Sequence, residues 1–488
     1  MSALRVSGAC ASQMTERQDL RTCLGTAQSV LMEGALGERL RREYGLRLDD
    51  HVGLASLIYD VRARAAIVEL WNEYADVAHR HGLPLLTTTP TRRANRERVA
   101  ASLYDESIIR DNVSLLRAVQ EHSPADMHVG GLMGCRGDAY RATDVLPSAE
   151  ARAFHSWQAE LFAEAGAEFL YAGIMPALPE AIGMALAMGD SGLPYIISFM
   201  IRADGRLLDG ATIDEAIRSI DGAVDVQPVC YLTNCVHPAV LYEALSQPFN
   251  ASDVVRDRLR GIQANASRLT PQELDASATL ESSDPAELAD NMMRLRDDKK
   301  LNVFGGCCGT DGTHLEEIAR RLGGTPDKRR GRRPVDVSLR PVSPADLPTI
   351  DGWASVMATY LTRTRPYAEA ADHHDPGSGL HWYVIAAAGV DVGIVWIELL
   401  PAGSEAVLGI FLGDRSSFGR GIGTAAVGLA VAAFRREHPH VPIVLRVRRS
   451  NARAVACYRR AGFSVTGSGS KPLSSGVVVP YFRMTCET

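Results

Sequence analysis

The stretch RAAIVELWNEYADVAHRHGLPLLTTTP, residues 64–90, carries the pattern that decides the fold. Its first part, Arg64–Gly82, repeats apolar residues at intervals of three and four and ends at a glycine, which is typical of an amphipathic helix and its stop. Its second part, Leu83–Pro90, is a short apolar run that ends in threonines, as expected for a buried strand. The stretch therefore predicts a helix that leads directly into a strand.

The same unit recurs on both sides of this stretch. Helical segments such as Ser148–Gly166 alternate with eight short apolar runs. The runs are SVLMEG (Ser29–Gly34), LPLLTTTP (Leu83–Pro90), MHVGGLM (Met127–Met133), FLYAGIM (Phe169–Met175), PYIISFM (Pro194–Met200), VCYLTN (Val229–Asn234), GIQANA (Gly261–Ala266) and NVFGGCC (Asn302–Cys308). Eight strands alternating with helices over roughly 290 residues is the count and size of a (β/α)8 TIM barrel. A doubly wound sheet of similar size is the alternative that the pattern leaves open.

The regions outside the barrel differ in character. Residues 1–26 are polar and aperiodic, which predicts a flexible leader and leaves 27–322 for the barrel. Residues 323–335 combine Gly, Pro and basic side chains and predict a solvated linker. Residues 336–488 mix strand-like runs with three helical segments, Ser343–Met357, Thr424–His438 and Asn451–Gly462. We therefore predict an α+β domain after the linker.

The composition excludes several classes of protein. The 488 residues carry 52 Lys and Arg against 58 Asp and Glu, a net charge of −6, which does not fit a dedicated nucleic-acid binder. No apolar stretch reaches the roughly 18 residues of a membrane span, and the first twenty or so residues lack the apolar core of a signal peptide. We expect a cytoplasmic protein with small-molecule substrates and neither nucleic-acid nor membrane partners, of unknown oligomeric state.

Nine cysteines are too few for a disulfide scaffold in a chain of this length. Six of them are scattered and are interpreted as small buried apolar residues: Cys10, Cys23, Cys135, Cys230, Cys457 and Cys486. The other three need a different account because of where they fall along the predicted barrel.

Cys235 follows the sixth run, and Cys307 and Cys308 end the eighth. Barrel active sites form at the carboxyl ends of strands, so all three belong to the catalytic face. Adjacent residues of a straight strand point to opposite sides, and we expect the glycines at 305, 306 and 309 to supply the bend that turns both cysteines toward one ion. Three thiolates with an open fourth position suit catalytic zinc, which would deprotonate a substrate thiol. Buried structural cysteines are the alternative.

Two motifs around these cysteines resemble the zinc motifs of the homocysteine S-methyltransferase family. They are GGCCGT (Gly305–Thr310), followed by His314, and TNCVHP (Thr233–Pro238). The similarity extends over about residues 29–322 and includes MEGALGERL (Met32–Leu40), TTT (Thr87–Thr89) and GIQANASRLTPQELD (Gly261–Asp275). The resemblance implies a Zn²⁺-activated homocysteine thiolate that takes a methyl group from a sulfonium, ammonium or folate donor and yields methionine. It implies zinc ligands at Cys235, Cys307 and Cys308 and substrate-binding residues at Glu33, Gly34 and Asn234.

The chain departs from the family pattern at the amino-acid end of the site. Gly173 and Ile174 stand where the family usually has Glu-Thr, whose carboxylate would hold the substrate ammonium, and Glu33 replaces an Asp. The zinc chemistry therefore looks intact, whereas another thiol acceptor is possible. Glu180 could substitute for the lost acid, although an ordinary helix-surface glutamate is the favoured interpretation. Since no cobalamin or folate module follows, S-methylmethionine or S-adenosylmethionine is the simplest methyl donor.

The second domain contains a glycine turn, GRGIGT (Gly419–Thr424), between a strand and an apolar helix. Free backbone N–H groups at a helix start suit a pyrophosphate, but a tight turn without ligand has the same sequence pattern. The segment SNARAVACYRRAGF (Ser450–Phe463) resembles the Asn–Ala–Tyr–Gly–Phe signature of GNAT acetyltransferases, and the similarity covers about residues 336–485. Phe418 departs from the Gln or Arg that many members have before the turn.

This second resemblance implies acetyl-CoA as co-substrate and assigns residues to it. Its pantetheine arm would lie along Ile410–Leu412, and Tyr458 would protonate the leaving thiolate as general acid. The pyrophosphate and neighbouring groups would contact Arg420, Gly421, Ile422, Gly423, Thr424 and Asn451. Glu398 is the candidate general base, with ordered water as an alternative, and a core aromatic is the alternative for Tyr458.

The leading hypothesis is a bifunctional enzyme that methylates a thiol and acetylates an amine. A second hypothesis keeps the acetyltransferase and treats the barrel as catalytically drifted, because the Glu-Thr pair is missing. A third treats the cysteines as a redox or zinc sensor.

Overall fold

The computed structural model describes residues 19–268, 283–323, 336–356, 379–400, 403–413, 417, 421–449, 451–472 and 478–486. The predicted leader up to residue 18, the linker residues 324–335, and Phe418 to Arg420 lie outside the described residues.

The first region is a closed barrel of eight parallel strands in sequential order. Its strands are β1 (Val30–Met32), β2 (Leu85–Thr88), β3 (Met127–Met133), β4 (Phe169–Met175), β5 (Tyr195–Phe199), β6 (Cys230–Val236), β7 (Leu259–Ala264) and β8 (Val303–Gly306). The last strand pairs with the first through Val30 and Val303, which closes the ring. This closure confirms the predicted barrel and excludes the doubly wound alternative, whose sheet has two open edges.

One short helix precedes the first strand, and the other helices follow the strands and cover the outside of the barrel. They are α1 (Leu20–Thr26), α2 (Gly37–Tyr44), α3 (Val61–His81), α4 (Arg96–Ala100), α5 (Ser107–His122), α6 (Ser148–Glu164), α7 (Leu178–Asp190), α8 (Ile213–Ala223), α9 (Pro238–Ala244), α10 (Asp253–Arg258), α11 (Pro285–Lys299) and α12 (Gly312–Leu322). Helix α3 ends at Gly82, which takes the left-handed conformation with φ of 66°. The helix-then-strand pattern of residues 64–90 is therefore confirmed by α3 and β2.

The prediction that residues 1–26 form a flexible leader is wrong for the described part of that segment. Asp19 caps a short helix, α1, by accepting a hydrogen bond from the Thr22 backbone N–H. Leu20, Cys23 and Leu24 are buried in a cluster with strand residues of the barrel. Their spacing of three and four residues puts them on one helical face, a signal too short to stand out within a polar segment.

The second region is a seven-stranded mixed sheet in the order β14-β15-β13-β12-β11-β10-β9. Its strands are β9 (Val337–Pro341), β10 (Leu380–Ala387), β11 (Val390–Leu399), β12 (Ala406–Leu412), β13 (Ile443–Arg448), β14 (Ser464–Pro472) and β15 (Val478–Cys486). Its helices are α13 (Leu347–Val356), α14 (Ile422–Glu437) and α15 (Ala452–Arg460). The predicted α+β architecture is confirmed.

One parallel pair interrupts the otherwise antiparallel sheet. Strands β12 and β13 pair only at their starts, through Ala406 with Ile443 and Val407 with Val444. The rest of β12 pairs with β11 on its other side alone. An extended ligand could therefore lie along β12 where β13 has diverged.

No described helix is both long enough and apolar enough to cross a membrane.

Candidate active sites

The structure brings the three cysteines together at the carboxyl ends of β6 and β8. The Sγ atoms of Cys235 and Cys307 lie 2.9 Å apart, and all three sulfur atoms lie within 4.8 Å of one another. Cys235 is buried, whereas Cys307 and Cys308 are partly exposed. Three converging soft donors with one side open fit a zinc ion that retains a position for substrate.

The bend that turns these cysteines inward differs from the predicted one. Of the three glycines expected to supply it, only Gly309 has a positive φ, 79°. Gly305 is needed for close approach instead, since a Cβ there would lie 2.7 Å from the Met32 Cβ. Cys235 itself takes a left-handed conformation with φ of 58°, which is uncommon for a residue other than glycine.

Hydrogen bonds hold this strained backbone in place. The Asn265 side-chain amide donates to the Cys235 carbonyl over 3.0 Å. The Cys307 N–H donates to the Ala264 carbonyl over 2.7 Å, and the Thr310 hydroxyl donates to the Cys307 carbonyl over 2.7 Å. The cysteine cluster is thus positioned by its own strands rather than by an ion, a form of preorganisation.

The thiols of the cluster differ in pKa. Hydrogen bonds from Cys235 and Cys307 hold the pKa of Cys308 well below its usual range. The hydrogen bonds to its two neighbours raise the pKa of Cys307 well above its usual range. The cluster therefore favours one thiolate, and a bound cation would displace the other protons.

Tyr140 belongs to this cluster and was missed from the sequence. It lies in the loop between β3 and α6, and its hydroxyl is 3.6 Å from the Cys235 sulfur. The negative charge of Cys235 is the main cause that raises the pKa of Tyr140. A tyrosine after a barrel strand was the available signal, but a loop position alone does not show where a side chain points.

Glu33, expected to bind substrate, lies at the end of β1 in a buried position. One carboxylate oxygen accepts hydrogen bonds from the Thr88 N–H (3.0 Å) and hydroxyl (2.5 Å), which accounts for the TTT motif. The other oxygen, Oε2, is buried and accepts no well-aligned hydrogen bond from the described residues. Burial raises the pKa of Glu33 to about 7. A side-chain hydrogen bond from Trp71 opposes this rise, so the carboxylate lies among protein donors on both sides.

The other two expected substrate residues shape the same region. A Cβ at Gly34 would lie 3.0 Å from Tyr74 and Leu315, so this backbone approaches its neighbours closely. The Asn234 side-chain oxygen Oδ1 accepts hydrogen bonds from the Ile174 N–H (3.0 Å) and the Ser198 hydroxyl (2.8 Å). Asn234 therefore holds the end of β4.

The end of β4 contains the departure from the family pattern. Ile174 has a positive φ of 61°. A Cβ on Gly173 would lie 2.9 Å from the Leu132 Cδ1 and 3.6 Å from the Asn234 amide nitrogen. Leu132 thus crowds the space that a side chain at position 173 would need.

Glu180 is not a helix-surface residue, so that interpretation was wrong. It is 1% exposed on α7 and accepts hydrogen bonds from the Arg136 backbone N–H (2.7 Å) and the His155 imidazole (3.1 Å). The sequence periodicity did not reveal this because α7 is apolar on most of its surface. Its carboxylate is engaged with the protein, which argues against its replacing the missing acid.

The second candidate site lies at the start of α14. Gly421 caps this helix in the left-handed conformation with φ of 80°, and Ile422, Gly423 and Thr424 form its first turn. The Thr424 hydroxyl donates to the Cys457 sulfur over 3.5 Å. The structure thus shows the helix start expected to receive a pyrophosphate, except for Arg420, which lies outside the described residues.

The remaining expected acetyltransferase residues occupy β11, β12 and α15. Ile410 and Leu412 lie on the part of β12 that has lost β13 as a neighbour. Tyr458 is partly buried, its ring 6.0 Å from that of Phe463, and burial raises its pKa. Glu398 is half-buried opposite Val407, where β12 and β13 last pair. Glu398 therefore lies on the strand next to the one expected to bind the pantetheine arm.

The Asn451 side chain stabilises the start of a helix. Its side-chain oxygen accepts a hydrogen bond from the Ala454 N–H over 3.0 Å and so caps α15. Its position in the signature is explained by this cap.

The fold and the site define a (β/α)8-barrel enzyme with three cysteines converging at the carboxyl ends of its strands, joined to a smaller domain built on a mixed sheet. The family model for homocysteine S-methyltransferase matches residues 30–322. The chain belongs to the homocysteine S-methyltransferase family. The GNAT acetyltransferase domain model matches residues 336–464. Both matches indicate transferase activity and together support a bifunctional methyl- and acetyl-transferring protein.

Solved structures agree with the barrel fold. The metallated form of the homocysteine methyltransferase MmuM from Escherichia coli is 21% identical, with a TM-score of 0.50, over 62% of this chain and 99% of that one. Its oxidised form is 22% identical, with the same score and coverage. The aminoglycoside acetyltransferase AAC(6')-Ib in complex with coenzyme A is 21% identical over 31% of this chain and 95% of that one, with a TM-score of 0.26. No curated protein matches the sequence significantly.

Proposed function

We propose that the barrel transfers a methyl group to a thiol with the help of zinc, and that the second domain transfers an acetyl group from acetyl-CoA to an amine. In this proposal the two domains cover 27–322 and 336–488, with 323–335 as the linker. The observation that carries the methyltransferase is the convergence of Cys235, Cys307 and Cys308 at the carboxyl ends of two barrel strands.

The cysteine cluster would hold the ion through its three sulfurs. Bound zinc supplies Lewis acidity that lowers the pKa of a substrate thiol. The protein itself positions the sulfur donors and the polar groups around them. The backbone of β6 and β8 keeps the three donors together, and Tyr140 places a hydroxyl 3.6 Å from the Cys235 sulfur, where it can orient a polar group.

The methyl transfer itself is a displacement in which atoms and charge balance. The substrate sulfur forms a bond to the methyl carbon while the bond from that carbon to a sulfonium breaks, and the donor leaves as a neutral thioether. S-Methylmethionine or S-adenosylmethionine fits this scheme without any further module. Homocysteine is the proposed methyl acceptor. The residues at the end of β4 favour a related thiol as the alternative acceptor.

The acceptor would be held by a smaller set of polar groups than the family pattern provides. Glu33 offers a buried carboxylate oxygen without a well-aligned partner among the described residues. Gly173 offers no side chain, and Leu132 crowds its position. An acceptor with reduced demand for ammonium recognition is consistent with both observations.

In the second domain the pyrophosphate of acetyl-CoA would bind the backbone of the first turn of α14. The pantetheine arm would pair with β12 along Ile410–Leu412, where β13 has diverged. Tyr458 would donate a proton to the leaving thiolate, a task that its raised pKa allows because the phenol stays protonated. Glu398, or water beside it, would accept the amine proton.

The test of the methyltransferase is Cys307→Ala in the full chain. We expect loss of bound zinc and of thiol methylation, with thiol and sulfonium panels read by mass, while acetyl transfer to amines persists. Cys230→Ala is the matched control because this buried cysteine lies on the same barrel but outside the cluster. Methylation that survives in Cys307→Ala, or that requires a methylated corrinoid, would contradict the proposal.

A second candidate is an acetyltransferase whose barrel keeps the metal but has lost catalysis, favoured by the crowding of Gly173. The same experiment separates the two: zinc bound by the unmodified chain without methylation of any thiol in the panel identifies the drifted barrel.

A further inference from the structure

A second group of metal-ligating side chains lies in the second domain, at the opposite end of α14 from the expected pyrophosphate site. His381 at the start of β10, Glu437 at the end of α14 and His438 directly after it place their ligand atoms within 4.8 Å of one another. The His381 Nε2 and the Glu437 carboxylate oxygen are 3.7 Å apart. This separation is too long for a hydrogen bond. Two ligands of one ion, each about 2.0–2.2 Å from it, lie at nearly this spacing.

The two imidazoles pack against one buried aromatic ring and against each other, with their own ring centroids 5.8 Å apart. The His381 ring meets the Phe434 ring edge-on with centroids 5.1 Å apart, and the His438 ring lies 4.7 Å from the same ring. Phe434 is fully buried, so both histidines are fixed against a rigid surface. Fixed ligands lose little conformational entropy when an ion binds.

Charge at this point also favours a cation. The cluster sits at the carboxyl end of α14, a 16-residue helix, where the helix dipole is negative. Glu437 is largely exposed, so one side of the cluster is open to water.

We propose that His381, Glu437 and His438 bind one divalent transition-metal ion of the zinc type, with water completing its coordination. Two imidazoles and a carboxylate are borderline donors that select zinc, cobalt or nickel over magnesium or calcium.

The position of the cluster indicates what the ion does. The start of α14, where the pyrophosphate is expected, lies about 22 Å from its end at a rise of about 1.5 Å per residue. The ion would therefore lie far from the expected pyrophosphate. It would link the start of β10 to the end of α14 and stabilise the domain.

Zinc stoichiometry of the full chain tests this site, measured by equilibrium dialysis and elemental analysis of metal-free protein. We expect two ions per chain, and one in Glu437→Gln and His438→Ala. His440→Ala is the matched control, since this exposed histidine lies two residues beyond the cluster and should leave two ions bound. Zinc should also raise the unfolding temperature of the second domain, and this rise should be lost in Glu437→Gln.

The barrel site is separated by a triple Cys235→Ser, Cys307→Ser, Cys308→Ser variant. This variant should keep one ion, and adding Glu437→Gln should remove it. Equal zinc content in Glu437→Gln, His438→Ala and His440→Ala would overturn the proposal whatever the barrel binds. If the triple variant binds as much zinc as the unmodified chain, the cysteine site is overturned, whereas the site at His381, Glu437 and His438 is not. Glu437 is exposed, so its substitution tests the site without risking the fold.

Discussion

At the scale of single residues, Gly173 is where this chain departs most clearly from its family. If a carboxylate at this position holds the ammonium of homocysteine, Gly173→Glu with Leu132→Ala should lower the KM for homocysteine about tenfold, because a hydrogen bond to a charged group contributes roughly 1.5–3 kcal/mol. Leu132 must be shortened because its Cδ1 lies 2.9 Å from the required Cβ position. Steady-state methylation kinetics measure the change.

The matched control for this substitution is Gly173→Gln with Leu132→Ala, which has the same shape without the charge. A thiol that lacks an amino group should show no gain with either variant. Equal KM values for homocysteine in the Glu and Gln variants would show that position 173 does not recognise the ammonium.

Glu33 gives the residue-scale prediction for pH. Its pKa is raised from its ordinary value to about 7, so its contribution to stability is fully present at low pH and is lost as pH rises through 7. Glu33→Gln removes the ionisable carboxyl group and with it this loss of stability at higher pH. The unfolding temperature of the variant should therefore improve relative to the unmodified chain between pH 5 and pH 8, as measured by thermal unfolding.

Glu97→Gln controls for the loss of one carboxylate, because the Glu97 side chain is exposed. Glu73 is also buried with a pKa raised to about 7, but it is present in both proteins and cancels in the comparison. A difference in unfolding temperature that stays constant with pH would mean that Glu33 is already protonated, or already paired, across the range.

At the scale of elements, α1 is the helix that sequence periodicity missed. Leu24 is 5% exposed within the cluster that α1 forms with the barrel strands. Leu24→Ala should lower the free energy of unfolding of the barrel by roughly 2–3 kcal/mol, as buried leucine truncations do. Denaturant unfolding measures the loss.

Leu103→Ala is the control for this truncation, since Leu103 is 99% exposed and its loss should change little. If Leu24→Ala and Leu103→Ala were equally stable, residues 19–26 would be the flexible leader that their polar sequence indicates.

The ends of some strands follow from the apolar runs of the sequence, and the ends of others do not. Strands β3 and β4 have the bounds of their apolar runs, because continuous apolar runs mark strands buried on both faces. Strand β6 differs, since it extends beyond its run to Val236 and includes Cys235. A cysteine with left-handed φ inside a strand cannot be read from residue type, as its conformation is imposed by contacts such as the hydrogen bond from Asn265.

At the scale of the whole molecule, the described residues form four apolar clusters, two within the barrel region and two in the mixed-sheet region. Each region carries its own candidate active site. The proposed methyl and acetyl transfers therefore use different residues, which is why Cys307→Ala is expected to abolish the first and spare the second.

The sequence by itself determined the order of elements, the two family resemblances and the three cysteines, because periodicity and short motifs are local properties of the chain. Only the tertiary structure decided the rest. It placed Tyr140 beside Cys235, buried Glu180 against His155, and brought His381 to Glu437 and His438. These pairs are distant in sequence apart from the last two residues, so their contacts depend on how strands and helices pack, which no local pattern records.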